Sequence, residues 1–473
     1  MKRIVLGALL IAAASTTVAG ALSGRGTGPH PFSPIAGSAY NQTADLTAPF
    51  VIPSGYTQKV VSDDTDLDIY NSRCASGTTN PDSDWPDMTV SNESGRQRGR
   101  YLYRTHEVRP FLWDVACGAS GLPQSAKDGF VADGGGALSV IDTKTGETKV
   151  LTQRGDWEAL DGLVWTPWGT LLFAEEAIAA DLPDPRVPQA TSGLLYELKL
   201  NKRNPMKARS VKVRPMLGSL SHEGIEIDAR GNVYVIDEDR RGSIYRFVPT
   251  RRGDLSAGQL QVLKVDAGKT GTATWVDLDM AQAQISARVA AAAVGGTEFC
   301  RPEDLERIGQ TLYAALTCED VTNPANTSGP GAIVAVTLGS TPTVHYAVAP
   351  GVNAPQENKA LGITGLRAVD NLANGPDGKL WIVEDNVPAD IWVADVNANH
   401  GGYAPAISLF ASLKDPGAEG TGIYFGRDPH TLFVNTQHSV TGNDGTYAIT
   451  NPVSYTHLRA HETDSYLVCR LLL

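Results

Sequence analysis

Residues 161–176 read Asp161-GLVWTPWGTLLFA-Glu175-Glu176. An acid opens the segment and an apolar-rich strand follows. A Pro-x-Gly turn then reverses the chain, and a second apolar strand ends in a pair of acids. The same order recurs at Glu223-GIEIDARGNVYVI-Asp237-Glu238 and at Asp370-NLANGPDGKLWIV-Glu384-Asp385. In each copy the opening acid and the first of the closing pair lie 14 residues apart. An earlier copy with the same spacing runs from Asn92-Glu93 to His106-Glu107. Two longer copies, Glu303 to Glu319 and Glu419 to Asn435, have ends 16 residues apart. A supersecondary unit repeated in this way marks a stacked or radial architecture.

The spacing dictates a hairpin. A strand out, a tight turn and a strand back bring both polar ends to one rim. The second strands, at 171–174, 233–236 and 380–383, are continuously apolar, which predicts burial on both faces. Further strand-like segments at 137–141, 194–198, 243–248, 332–337 and 390–394 bring each unit to roughly four strands. The fold class is therefore all-β, a six-bladed β-propeller with loop and short helical insertions, in one domain over residues 48–452. The Ala-rich stretch 280–294 predicts an inserted helix, and the Pro-containing stretches 182–189 and 321–330 predict surface loops.

Stacking six hairpins about an axis gathers Glu93, Glu107, Asp161, Glu175, Glu223, Asp237, Glu303, Glu319, Asp370, Glu384 and Glu419 at one mouth of the channel. So many adjacent carboxylates require a counter-charge, and hard divalent cations with oxygen ligands, calcium above all, supply it. Some of these acids are expected to cap strand ends instead. One cation stands among them in Phe299-Cys300-Arg301-Pro302-Glu303-Asp304. Arg301 can present a planar fork to an anion, or form an ordinary structural ion pair. His106, His222 and His438 each sit beside a rim acid or amide and are candidates to support the ligands.

The chain has 473 residues, 42% of them hydrophobic, with a formal net charge of −12. An acidic chain lacks the basic footprint that nucleic acid requires. No segment has the ~20 apolar residues that span a bilayer. Lys2-Arg3, an apolar run over residues 4–14 and the small residues Ala19-Gly20-Ala21 read as a cleaved signal peptide, residues 1–21. Export to the periplasm or the medium follows. Residues 22–47 form an N-terminal extension. Residues 453–473 follow no pattern found elsewhere and resemble a translated sequencing adapter, so His457, His461 and Cys469 are set aside. Four cysteines remain, Cys74, Cys117, Cys300 and Cys318. They allow two disulfides in three connectivities, or free buried thiols. Cys300 and Cys318 fall near the open end of one hairpin, so their pairing is sterically reasonable and leaves Cys74 with Cys117.

These motifs resemble one family. His106-Glu107, TPWGT at 166–170, Glu175-Glu176, HEG at 222–224, RPED at 301–304, Asp370-Asn371 with its PDGKLW, and LFVNTQH at 432–438 are similar, in order, to the PhoX-type alkaline phosphatases. The likeness runs from about residue 48 to 450. It implies a six-bladed propeller that carries calcium and ferric iron at its channel mouth and hydrolyses phosphate monoesters. It implies that Glu223 and Glu303 are metal ligands, that Arg301 contacts the substrate phosphate, and that Glu176, Asp385 and Glu419 lie in or near the cluster. Three departures stand out. Asp161 occupies the place of a cysteine found in iron-containing members, which favours an all-calcium site over one with iron. The twin-arginine signal of the family is absent. A C-terminal strand that would close the ring is expected to be missing, displaced by the foreign tail. The expected protein is an exported, monomeric phosphatase acting on a small phosphorylated substrate. A calcium-dependent lactonase or esterase and a non-catalytic calcium-stabilised propeller are the alternatives.

Overall fold

Strands that are apolar on both faces need a sheet against each face, and radial stacking of blades provides one. A computed structural model describes residues 32–67, 69, 84–95, 97–108, 135–154, 157–176, 193–398, 401–405 and 407–451. They build a six-bladed β-propeller. Two short strands come first, β1 (Phe50–Val51) and β2 (Thr57–Asp63). Blade one is β3 (Pro86–Ser91), β4 (Tyr101–His106), β5 (Ala137–Asp142) and β6 (Thr148–Gln153). Blade two is β7 (Leu160–Trp165), β8 (Leu171–Glu175), β9 (Leu195–Asn201) and β10 (Asn204–Val213). Blade three is β11 (Ile225–Ile227), β12 (Val233–Ile236), β13 (Ile244–Arg251) and β14 (Asp254–Val265), with an added strand β15 (Gly271–Asp277).

Helix α1 (Met280–Val294) follows, on the predicted residues. Its N-cap, Asp279, accepts the amides of Ala281 and Gln282, and Gly295 ends it in the left-handed conformation. Blade four is β16 (Pro302–Ile308), β17 (Thr311–Leu316), β18 (Ala332–Thr337) and β19 (Thr343–Val348). Blade five is β20 (Val369–Asn374), β21 (Leu380–Glu384), β22 (Asp390–Ala394) and β23 (Ile407–Leu413). Blade six has β24 (Glu419–Phe425), β25 (Thr431–Gln437) and β26 (Gly445–Thr450). All blade pairings are antiparallel, and β15 also pairs with β19, which joins blades three and four into one sheet.

The ring does not lack its closing strand. β2, from the N-terminal side, is the outer strand of blade six and pairs with β26, with Val60 opposite Tyr447. The expectation of a missing C-terminal strand is thus corrected, because β2, an N-terminal strand, completes the last blade. The first repeat is also displaced. Its inner strand is Pro86–Ser91, before Asn92-Glu93 rather than after it.

Apolar clusters fill the wedges between blades. Tyr103, Leu138, Trp157, Phe173 and Tyr196 pack between blades one and two. Val235, Phe247 and Leu260 form part of the next wedge, with Ala283 and Ala287 of α1 against them. The seam between blades six and one is polar instead. Arg104 is fully buried there and donates to Ser139 at 3.0 Å, Thr446 at 2.9 Å and Ser62 at 3.2 Å. A buried charge is tolerable only when satisfied in this way. Cys300 and Cys318 form a disulfide. Cys74, Cys117, the predicted loop 182–189 and the segments 1–21 and 453–473 lie outside the described residues. No helix among the described residues is long and apolar enough to cross a membrane.

Candidate active site

One local device recurs around the channel. The inner strands β3, β7, β16, β20 and β24 each carry a bulge near their start, between Pro86 and Thr89, Leu160 and Leu163, Pro302 and Leu305, Val369 and Leu372, and Thr421 and Tyr424. A bulge re-aims the side chain it contains, and here it contains Asp87, Asp161, Glu303 and Asp370. Two residues before each of these acids the backbone is left-handed, at Trp85, Ala159, Arg301 and Ala368. A second recurrence ties the end of the second strand to that residue. The amides of Glu107, Glu176, Glu238, Thr317 and Asp385 donate to the carbonyls of Trp85, Ala159, Ser221, Arg301 and Ala368 at 2.8–3.1 Å. Each blade thereby sets polar side chains at the same mouth.

The result is a bowl of about 230 Å³ lined by Asp87, Glu107, Asp161, Glu176, Glu223, Glu238, Glu303, Asp370, Asp385 and Glu419, with Arg301, Thr421, Gln437 and His438. Its floor is tight because neighbouring inner strands touch. A Cβ on Gly162 would lie 1.8 Å from the Glu223 carbonyl, and one on Gly224 would lie 2.3 Å from the Leu305 amide. Oxygens of Glu223, Glu303 and Asp370, all buried, fall within 4.8 Å of one another. Burial first and the neighbouring acids second push the carboxyls of Asp87, Asp161, Glu223, Asp370 and Glu419 well above the usual carboxylate range. Glu303 is raised to about 7, by burial and then by Glu238.

Among the described residues lining the bowl, Arg301 is the one arginine or lysine. Its Nε lies 2.9 Å from Glu238 and 3.0 Å from Glu303, its Nη2 lies 2.5 Å from Glu238, and its Nη1 is 4.0 Å from Asp385. Burial pulls the guanidinium down, but the facing Glu303 and Glu238 outweigh this and hold it above its ordinary value. About a third of the side chain is open to the bowl. His438 is 3.2 Å from Glu419 and 3.6 Å from Glu107, with Trp85 edge-on at 4.5 Å.

The family model for "Alkaline phosphatase PhoX" matches residues 162–439, more than half of the chain. The chain belongs to the PhoX alkaline phosphatase family. Among solved structures, this PhoX chain is similar to PhoX from Pseudomonas fluorescens in complex with vanadate, a transition state analogue. The TM-score is 0.61 at 19% identity, and the match covers 89% of this chain and 98% of that one. It is also similar to XC5397 from Xanthomonas campestris, a gluconolactonase, with TM-score 0.44, 13% identity, and coverage of 89% of this chain and 98% of that one. The first likeness is one of fold. No curated protein sequence matches the chain.

The donors of the PhoX bowl fit hard cations. Asp161 Oδ1, Asp87 Oδ1, Glu223 Oε2 and Gln437 Oε1 are buried and accept no hydrogen bond. Such orphaned oxygens in a crowd of carboxylates are what coordination of a hard cation satisfies. Every potential donor lining the bowl is oxygen or imidazole, and Cys318 is held in its disulfide.

Of the predicted residues, Glu107, Asp161, Glu176, Glu223, Glu303, Asp370, Asp385, Glu419, Arg301 and His438 all line the bowl. Glu93, Glu175, Asp237, Glu319 and Glu384 do not. Glu175 accepts the amides of Glu158, Gly193 and Leu194, and Glu384 accepts the Arg367 amide and the Trp392 indole. Asp237 pairs with Arg288 at 2.6 Å, and Glu319 pairs with Lys269 at 2.8 Å. Glu93 lies with the acids of a separate channel cavity, where the Tyr424 hydroxyl donates to it at 3.0 Å. In each Glu/Asp pair the first acid braces the blade and the second enters the bowl, because strand residues alternate sides. His106 instead contacts the Asp84 carbonyl at 2.6 Å and Ser139 at 2.7 Å, in a fully buried place that keeps it neutral. His222 is buried beneath Glu223, with Nε2 3.2 Å from the Gly218 carbonyl and Nδ1 unpartnered. Sequence reasoning missed Asp87 and Glu238. The spacing signal for Glu238 was present, since it lies 15 residues after Glu223 as Glu176 does after Asp161.

Proposed function

We propose that this PhoX chain is an exported, calcium-dependent phosphatase that hydrolyses small phosphate monoesters at the bowl. The observation that carries the reading is Arg301, a guanidinium fork set among ten carboxylates in the mouth of the channel. A site for a neutral substrate has no use for that arrangement. A phosphoryl group held by cations needs both halves of it.

Glu223, Glu303 and Asp370 are the residues to hold the central cation, with Asp87, Asp161, Glu176, Glu107, Asp385 and Glu419 around them. Bound cations supply Lewis-acid stabilisation of the charge on a phosphoryl group. The chain's own part is to orient and select. Arg301 stays charged and presents planar donors that match two phosphoryl oxygens. Glu238 and Glu303 hold that fork in place from two sides. Thr317 donates to Glu303 and fixes its carboxylate. His438, between Glu419 and Glu107, is placed to exchange a proton at its Nε2. Oxygen donors and the aspartate at position 161 favour calcium over iron. Export is supported by the order of basic, apolar and small residues before Leu22 and by the Cys300–Cys318 pair.

The test is turnover of p-nitrophenyl phosphate by the purified mature chain, with elemental analysis of the same sample. Calcium-dependent turnover is expected. No turnover with calcium, iron or both supplied overturns the reading, and hydrolysis of a lactone in its place would assign the bowl to ester chemistry.

A further inference from the structure

We infer that the Cys300–Cys318 disulfide and the Glu319 carboxylate beneath it form a pedestal that positions Arg301 for phosphate, which makes Cys300, Cys318 and Glu319 positioning residues. The inference rests on the phosphatase reading and adds to it a residue set that touches no substrate.

Blade four differs from the others at one place. In five blades a residue one or two positions past the second strand donates its amide to the carbonyl two positions before the bowl acid, and here that pair is Thr317 and Arg301, at 3.0 Å. The other four blades put a carboxylate at the donor position, Glu107, Glu176, Glu238 or Asp385. Blade four puts the neutral Thr317 there and the cation at the acceptor position. It is also the blade in which the flanking residues, Cys300 before Arg301 and Cys318 after Thr317, are covalently joined.

The backbone of Arg301 is left-handed, with φ of 44°, a conformation that costs a side chain of this size and persists only where its surroundings enforce it. At Ala159 and Ala368 the same conformation carries a methyl group and positions nothing. At Arg301 it decides where a guanidinium points. Four fixed contacts enforce it. The Arg301 amide donates to the Asp239 carbonyl at 2.9 Å, and the Arg301 carbonyl accepts from Thr317. The Cys300 amide donates to Glu319 Oε2 at 3.0 Å, and the disulfide closes the other side. Glu319 is itself immobilised, by Lys269 at 2.8 Å to both oxygens and by the Tyr346 hydroxyl at 2.8 Å. Lys269 also lies 5.9 Å from the Phe299 ring. Removing the bridge frees the main chain just before Arg301 and just after Thr317, the residue that donates to its carbonyl.

The test is a double-mutant cycle. The C300A/C318A variant is measured with p-nitrophenyl phosphate as substrate and inorganic phosphate as inhibitor, in the parent and in the R301A background. A small misplacement of a binding group costs up to about a hundredfold, so KM and the phosphate inhibition constant are expected to rise together by about tenfold or more in the parent background. Bound calcium should stay constant and kcat should change less. In the R301A background the cysteine substitutions should add nothing to either constant. A merely structural bridge would instead act equally in both backgrounds, and that result overturns the proposal. So does an unchanged KM and inhibition constant in the parent background. If the cysteine variant does not fold, E319Q is carried through the same cycle and read in the same way. A parent with no turnover and no phosphate binding removes the phosphatase reading and this one with it. An active parent with an additive cycle removes this one alone.

Discussion

Arg301 and Glu303 lie two residues apart in sequence and 3.0 Å apart in space, with the guanidinium and the carboxylate both turned into the same bowl. In a regular strand positions i and i+2 share a face with their Cα atoms about 7 Å apart, a gap that two long side chains can span. The left-handed backbone at Arg301 and the bulge after Pro302 set the direction in which each side chain enters the bowl. One member of the pair therefore suits an anion and the other a cation, side by side.

The two should fail differently when removed. Arg301→Ala keeps every carboxylate, so calcium-dependent melting should be nearly unchanged while p-nitrophenyl phosphate turnover falls by roughly two to three orders of magnitude. Equal turnover in the variant and the parent would show that this arginine serves structure alone.

Calcium should stabilise the fold, since a ligand that binds only the folded state shifts unfolding by mass action. Chelation is expected to lower the melting temperature and added calcium to restore it. In Glu223→Gln the restoration should need more calcium, whereas without calcium at pH 8 the variant should melt above the parent, having lost one repelling charge. Identical melting curves with and without chelator would remove the cation from the site.

Gly162 is where blade two touches blade three. Gly162→Ala forces a methyl group onto the Glu223 carbonyl, which is backbone and cannot step aside. Overpacking of this kind costs about 1–3 kcal/mol. Because the displaced residue carries a buried bowl carboxylate, calcium affinity should fall along with the melting temperature. A variant that melts like the parent would show that the two inner strands have slack.

The second channel cavity makes a prediction about pH. Glu226 and Glu306 line it, and burial first and acidic neighbours second raise both to about 8. An unfolded glutamate titrates near ~4.3, so between ~4.3 and about 8 the folded chain holds protons that the unfolded chain has released. Their contribution to stability is full below ~4.3 and is lost as pH rises through 8. Glu226→Gln and Glu306→Gln mimic the protonated form. Each should match the parent in melting near pH 5 and exceed it near pH 9. An equal difference at both pH values would mean that Arg307, 3.4 Å from Glu226, already keeps these groups ionised.

Much of this protein was legible from its residues alone. The 14-residue spacing, the doubly apolar second strands and the turn residues between them dictate hairpins, and hairpins of that kind dictate a propeller. Helix 280–294 was legible from its run of alanines, and the RPED run marked Arg301 and Glu303. What spacing does not carry is side-chain direction. Asp237 and Glu238 are neighbours in sequence, yet one braces Arg288 and the other enters the bowl. Alternation along the strand settles which, and it depends on the pairing register. Asp87 was invisible because its hairpin is longer than the others, so the count that found the other acids passed it by. Ring closure likewise depended on contacts between chain ends. β2 and β26 lie almost 400 residues apart in sequence, and only the completed circle of blades brings their backbone donors and acceptors face to face.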